Sequence, residues 1–152
     1  MMKARRFRAR QEYVMKVMVI VKSSAAIEAG APPSHAELDA MGRFNEELVR
    51  AGVMLAGEGL HASQRGCRVR FGEQGRQVID GPFADPGTLV AGFWLWQVRS
   101  LDEALEWAQR APFGAGAELE LRQVMAEEDF GDAFTTELRE QEQRLRDTLA
   151  AR

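Results

Sequence analysis

The segment Leu89–Val98, LVAGFWLWQV, constrains the fold of this chain more than any other stretch. An alternation of two puts Phe93 and Leu95 on one side, and Trp94, Trp96 and Val98 on the other. A strand that is apolar on both sides has to be covered on both. Met15–Lys22 reads the same way, with Val17, Val19 and Val21 opposed to Met18 and Ile20.

Helices to cover such strands are few. Ser34 and Glu37 form an S-x-x-E capping box. Leu38, Met41, Phe44 and Leu48 follow at helical spacing, and Gly52 stands where a glycine ends a helix. Ser100 and Glu103 form a second box, with Leu101, Ala104, Leu105 and Ala108 as its apolar side and Pro112 as its stop. Ala25–Pro33 reads as a loop. Val53–Leu60 is a strand interrupted by Gly57 and Gly59, which marks a bulge or a close backbone approach. Cys67–Phe71 and Arg76–Ile79 form a hairpin about a Gly-Glu-Gln-Gly turn. Glu118–Val124 alternates as a last strand, and a final helix starts near Thr135 or Thr136 with Leu138, Leu145 and Leu149 as a narrow stripe.

The order is β-α-β, a hairpin insertion, then β-α-β. It predicts an α+β fold of the ferredoxin-like, split βαβ type, with two helices on one face of an antiparallel sheet. Two helices cover one face only. The expected remedy is a homodimer whose two sheets share a core, since exposed Trp or Phe in a broad patch is rare on monomers.

Charge and composition bound the function. The chain has 152 residues, a net charge of −3 and one cysteine. A lone Cys67 excludes an intramolecular disulfide or a multi-cysteine metal site, and its alternation with Val69 and Phe71 predicts a buried, inert thiol. Residues 1–14 hold five cations and one anion, so the remainder carries −7. An acidic body makes a phosphate-backbone partner unlike this chain, although the basic arm has the composition to touch anions. Met15 opens Met-Lys-Val-Met-Val-Ile-Val and reads as a natural start, with 1–14 as an upstream extension. No run approaches the roughly 20 apolar residues of a membrane span, which predicts a cytoplasmic protein without a membrane partner. The expected organisation is a disordered basic extension over 1–14, a domain over 15–126, and an acidic segment with a helix over 127–152.

Several stretches together resemble a known family. They are Glu58-Gly59-Leu60-His61, Arg68-Val69-Arg70-Phe71, Asp80-Gly81-Pro82-Phe83, Gly92-Phe93-Trp94-Leu95-Trp96-Gln97-Val98, Glu128-Asp129-Phe130-Gly131 and Thr135-Thr136-Glu137-Leu138-Arg139-Glu140. Over roughly residues 15–142 the chain resembles the DGPF branch of the YCII-related proteins. The resemblance implies a dimeric α+β barrel built from ferredoxin-like halves. It also implies either an enzyme with a His–Asp pair in a cleft beside the sheet or a domain associated with transcription-factor modules. The histidine of the classical branch lies near the start of the first helix, where His35 stands here; the DGPF-type segment supplies His61.

The residues themselves offer His61 as an acid/base group, since histidine titrates near neutral pH. Asp80 is the carboxylate placed to orient it. Trp94 and Trp96 share one strand face and, with Phe83, are candidate walls of a substrate pocket. The ordinary alternatives are a surface turn for His61, helix-end packing for His35, a loop anchor for Asp80-Gly81-Pro82-Phe83, and core or interface for the tryptophans. No nucleotide-binding loop and no metal-ligand spacing occurs, so no cofactor and no metal are expected. Two readings follow. One is a cofactor-independent small-molecule enzyme of lyase or isomerase type. The other is a non-catalytic dimeric ligand-binding or accessory module with links to transcriptional regulation.

Overall fold

The computed structural model describes residues 14–152. All but the last residue of the basic extension expected over 1–14 therefore lies outside the described residues. Six strands and four helices follow in order. They are β1 (Met15–Lys22), α1 (Ala25–Glu28), α2 (His35–Arg50), β2 (Met54–Gly59), β3 (Cys67–Gly72), β4 (Gly75–Asp80), β5 (Val90–Val98), α3 (Leu101–Gln109), β6 (Leu119–Gln123) and α4 (Thr136–Ala150).

Local chemistry sets the helix ends. Ser34 Oγ accepts from the Glu37 amide at 3.1 Å, and Ser100 Oγ from the Glu103 amide at 3.1 Å. Gly52 closes α2 at φ 72°, where a Cβ would be strained, and the Val53 amide returns to the Leu48 carbonyl at 2.9 Å. The segment read as a loop contains a single turn, α1, capped by Ser24. One turn has no room for an apolar period, so no pattern announced it.

The main sheet has the order β2-β5-β1-β6, and each neighbouring pair is antiparallel. This is the ferredoxin-like arrangement expected from the element order. Hairpin β3-β4 forms a separate two-stranded sheet. Trp96 lies opposite Val17 and Trp94 opposite Val19, so these four side chains point to one face. There they meet Phe44 and Leu48 of α2, Val53, and Ala104 of α3 in one buried cluster with Val98. Phe44 is its hub, with ring centroids 5.8 Å from Trp94, 6.4 Å from Trp96 and 6.5 Å from Trp107, all edge-on. Edge-to-face pairs of this kind add about 0.5–1.5 kcal/mol each beyond area burial.

The dimeric α+β barrel is corrected by this structure. The sheet is open: β2 and β6 are free edges and no closure joins them. The argument for a shared core also loses its main premise. Both indoles lie on the helix-covered side, Trp96 with no exposure and Trp94 with 5%. The uncovered side carries Met18, Ile20, Phe93 and Leu95, of which the last three are half-buried. It is bordered by Glu120 and Arg122, opposite Ile20 and Met18, and Lys22 reaches Glu120 at 3.7 Å. Charges along its β6 side make this face mixed rather than wholly apolar.

The hairpin supplies a second correction. Cys67 is exposed, as are Val69 and Phe71. The alternation is real, but no other strand or helix covers the face it creates. Helix α4 likewise leaves Leu138, Leu145 and Leu149 exposed. No helix among the described residues is long and apolar enough to cross a membrane.

The hub predicts a sharp contrast. Phe44→Ala should lower unfolding free energy by about 3–5 kcal/mol, and Leu149→Ala by less than about 0.5 kcal/mol, in urea melts followed by tryptophan fluorescence.

Candidate functional site

One end of the sheet is built for close approach. Gly57, Gly59 and Gly92 meet there, with Gly57 opposite Trp94 and Gly59 opposite Gly92. A Cβ on Gly57 would stand 2.7 Å from the Trp94 ring, and one on Gly92 would stand 2.8 Å from the Glu58 carbonyl. The bulge between Met54 and Ala56 brings β2 into this register. The glycine signal in the sequence therefore marked close packing of backbone and indole.

Above these glycines a cleft of about 280 Å³ opens between α2 and the β2–β5 edge. Met41, Val21, Trp94 and Phe113 are among its apolar walls, Asn45 supplies a polar side chain, and Glu58, opposite Phe93 on β5, borders it from a strand position that faces the other side of the sheet. The Trp94 indole N–H donates to Asn45 Oδ1 at 2.9 Å. This bond satisfies a nearly buried donor and fixes the ring as a wall. Phe113 meets Trp94 edge-on at 6.1 Å.

A second construction lies beyond β2. The Glu28 carboxylate, on α1, accepts from the Ser63 amide at 3.0 and 3.2 Å and from the Ser63 hydroxyl at 2.5 Å. The Phe83 amide in turn donates to Ser63 Oγ at 2.9 Å. The Gly81 amide donates to the Gly66 carbonyl at 2.9 Å. Ser63 thus ties α1, the turn after β2 and the segment after β4 into one corner. A Cβ on Gly81 would fall 1.8 Å from the Ser63 carbonyl oxygen. Contact with Ser63 is what requires glycine in Asp80-Gly81-Pro82-Phe83; Gly81 is not among the residues with positive φ. The Gly81–Pro82 peptide is cis.

The sequence-derived candidates divide between these places. Trp94 lines the cleft, whereas Trp96 is wholly enclosed in the core with its indole N–H unpaired. Phe83 is half-buried at the corner, beneath the Arg68 guanidinium at 3.7 Å. His61 is exposed, and Arg65 Nη1 lies 3.0 Å from its Nε2. Asp80 ends β4 opposite Cys67, is exposed, and has no side-chain hydrogen bond to His61 among the described residues. His35 is exposed at the first position of α2. None of the three titratable candidates lines the cleft. Among the described residues no group of three or more His, Cys, Asp or Glu is placed to hold a metal ion.

Asn45, Glu28 and Ser63 escaped the sequence reading. Asn45 left a faint signal, a polar residue four after Met41 on the side of α2 that faces the sheet. Glu28 and Ser63 left none, because they are 35 positions apart and only the fold joins them.

The model of the YCII-related domain matches residues 15–128, three quarters of the chain. The chain belongs to the YCII-related domain family. No curated protein matches it. The matched span of this YCII-related protein holds the whole main sheet, the cleft and the Ser63 corner, and α4 lies beyond it.

The corner predicts unequal tolerance of one added methyl group. Gly81→Ala should cost about 1–3 kcal/mol by overpacking against Ser63. Gly59→Ala, where a Cβ meets nothing within 4 Å, should change stability by less than about 0.5 kcal/mol in the same denaturant melts.

Proposed function

We propose that this chain is a DGPF-branch YCII-related protein that binds a small, mostly apolar molecule in the cleft above Gly57, Gly59 and Gly92. The observation that carries this reading is the composition of the cleft: Met41, Val21, Trp94 and Phe113 are among its apolar walls, and Asn45 supplies a polar side chain beside them. Ligand sites are mostly apolar with a few placed polar groups, and this cleft of about 280 Å³ lies just below their usual range of about 300–1,000 Å³, which suits a small ligand. Asn45 uses its oxygen on Trp94, which leaves its amide N–H groups to a ligand acceptor. Trp94 thereby serves as a substrate wall, and Trp96 supports it from the core at a ring distance of 5.7 Å.

A neutral aromatic probe, N-phenyl-1-naphthylamine, tests this reading through tryptophan-sensitised emission. Saturable binding is expected, about tenfold weaker in Gly59→Leu, which fills the cleft. Equal binding by the variant, or amide shifts at Met18, Ile20, Phe93 and Leu95 without shifts at Asn45 and Gly57, would refute it.

The Ser63 corner favours a second reading, acid/base chemistry by His61 with Asp80 as its orienting carboxylate. It draws the segment two residues after His61 against the residue after Asp80. A carboxylate accepting the ring N–H selects one tautomer of the neutral imidazole. Nitrogen-15 spectra of the His61 ring should therefore show one dominant tautomer in the native chain and a mixture in Asp80→Asn. Identical ring spectra in both would remove this second reading.

A further inference from the structure

Hairpin β3-β4 stands apart from everything that the cleft and the core use. Apart from Ile79, every residue of its two strands is exposed. Each strand has one partner only, so each has an open edge. A two-stranded ribbon is marginal by itself in water, and an open edge is a template for a further strand.

Its two faces differ in chemistry. The pairing places Val69 beside Val78 and Phe71 beside Arg76 on one face, and Arg70 beside Gln77 and Arg68 beside Ile79 on the other. Val69 is 51% and Phe71 71% exposed. Among the described residues, Arg68 and Arg70 form no ion pair, a state they share with Arg65, Arg76, Arg99, Arg144 and Arg152, but they alone stand side by side on one face of a strand with an open edge. The Arg68 guanidinium lies over the Phe83 ring, 3.7 Å from its centroid, a contact that orders the group without using up its N–H donors.

We infer that the open edge of β3 accepts an extended segment of a partner protein in which acidic and apolar residues alternate. Side chains directly opposite across a strand pair interact, so positions facing Arg68 and Arg70 call for carboxylates, and positions facing Val69 and Phe71 call for apolar groups. A second copy of β3 would set arginine against arginine and is disfavoured by the same rule. A nucleic acid would satisfy the arginines and leave the Val69–Phe71 row unmatched, on a body that is otherwise acidic.

The test uses the full chain, a labelled acetyl-Val-Glu-Phe-Glu-Val-Glu-amide peptide, its lysine-for-glutamate counterpart and a single-stranded thymidine oligonucleotide. Saturable binding of the acidic peptide is expected, with amide shifts centred on Cys67–Gly72. Binding should weaken by about tenfold for the lysine peptide, as two charge pairs are lost. The double variant Arg68→Glu/Arg70→Glu should reverse the preference and favour the lysine peptide, an outcome that mere unfolding of the hairpin cannot produce. Equal binding of both peptides, shifts centred on β2 or β6, or tighter binding of the oligonucleotide than of the acidic peptide would each overturn the inference.

Discussion

The packing of two indoles against one phenyl ring holds the rest of this molecule in place. Phe44 projects from α2 between Trp94 and Trp96 and also meets Trp107. Because Trp94 and Trp96 are two apart on β5, both turn to the same side, where Val17 and Val19 of β1 join them. The helix cannot move without exposing the largest side chains of the core. The position of Asn45, one residue beyond Phe44, follows from that anchoring, as does the bond from Trp94 that makes the indole a fixed wall of the cleft.

Strand alternation distributes the remaining roles. The helix-covered face receives the large aromatic groups and the cleft. The opposite face receives Met18, Ile20, Phe93 and Leu95, bordered by Glu120, Arg122 and Lys22. That distribution explains why the sheet remains open in a single chain: its costliest surface is already shielded by α2 and α3. The glycines at the sheet end carry the complementary role. Side chains at Gly57 and Gly92 would collide with Trp94 and with the Glu58 backbone, so the floor of the cleft is main chain.

Polar construction is concentrated in one corner. Glu28, Ser63 and the Phe83 amide form a relay of hydrogen bonds that joins helix α1 to two connecting segments from distant parts of the chain. A charge-assisted bond such as that between Ser63 and Glu28 is stronger than one between neutral groups. The corner therefore holds Asp80-Gly81-Pro82-Phe83 in place from one side, while Arg68 clamps Phe83 from the other. The hairpin that carries Arg68 projects from this anchored base.

The amino-acid order by itself determined the element sequence apart from the single turn α1, the helix caps at Ser34 and Ser100, the stop at Gly52, and the sorting of side chains on β1 and β5. Each of these depends on neighbours within a few residues, through period, capping or backbone freedom. It also marked Gly57 as a place of close approach. Only the tertiary structure decided which sheet face the helices cover, that the sheet stays open, that Cys67 and the hairpin face solvent, and that Asn45, Glu28 and Ser63 matter. Those outcomes depend on contacts between residues tens of positions apart. Alternation states that a strand has two faces; what covers each face is settled when distant elements compete to bury the same indoles.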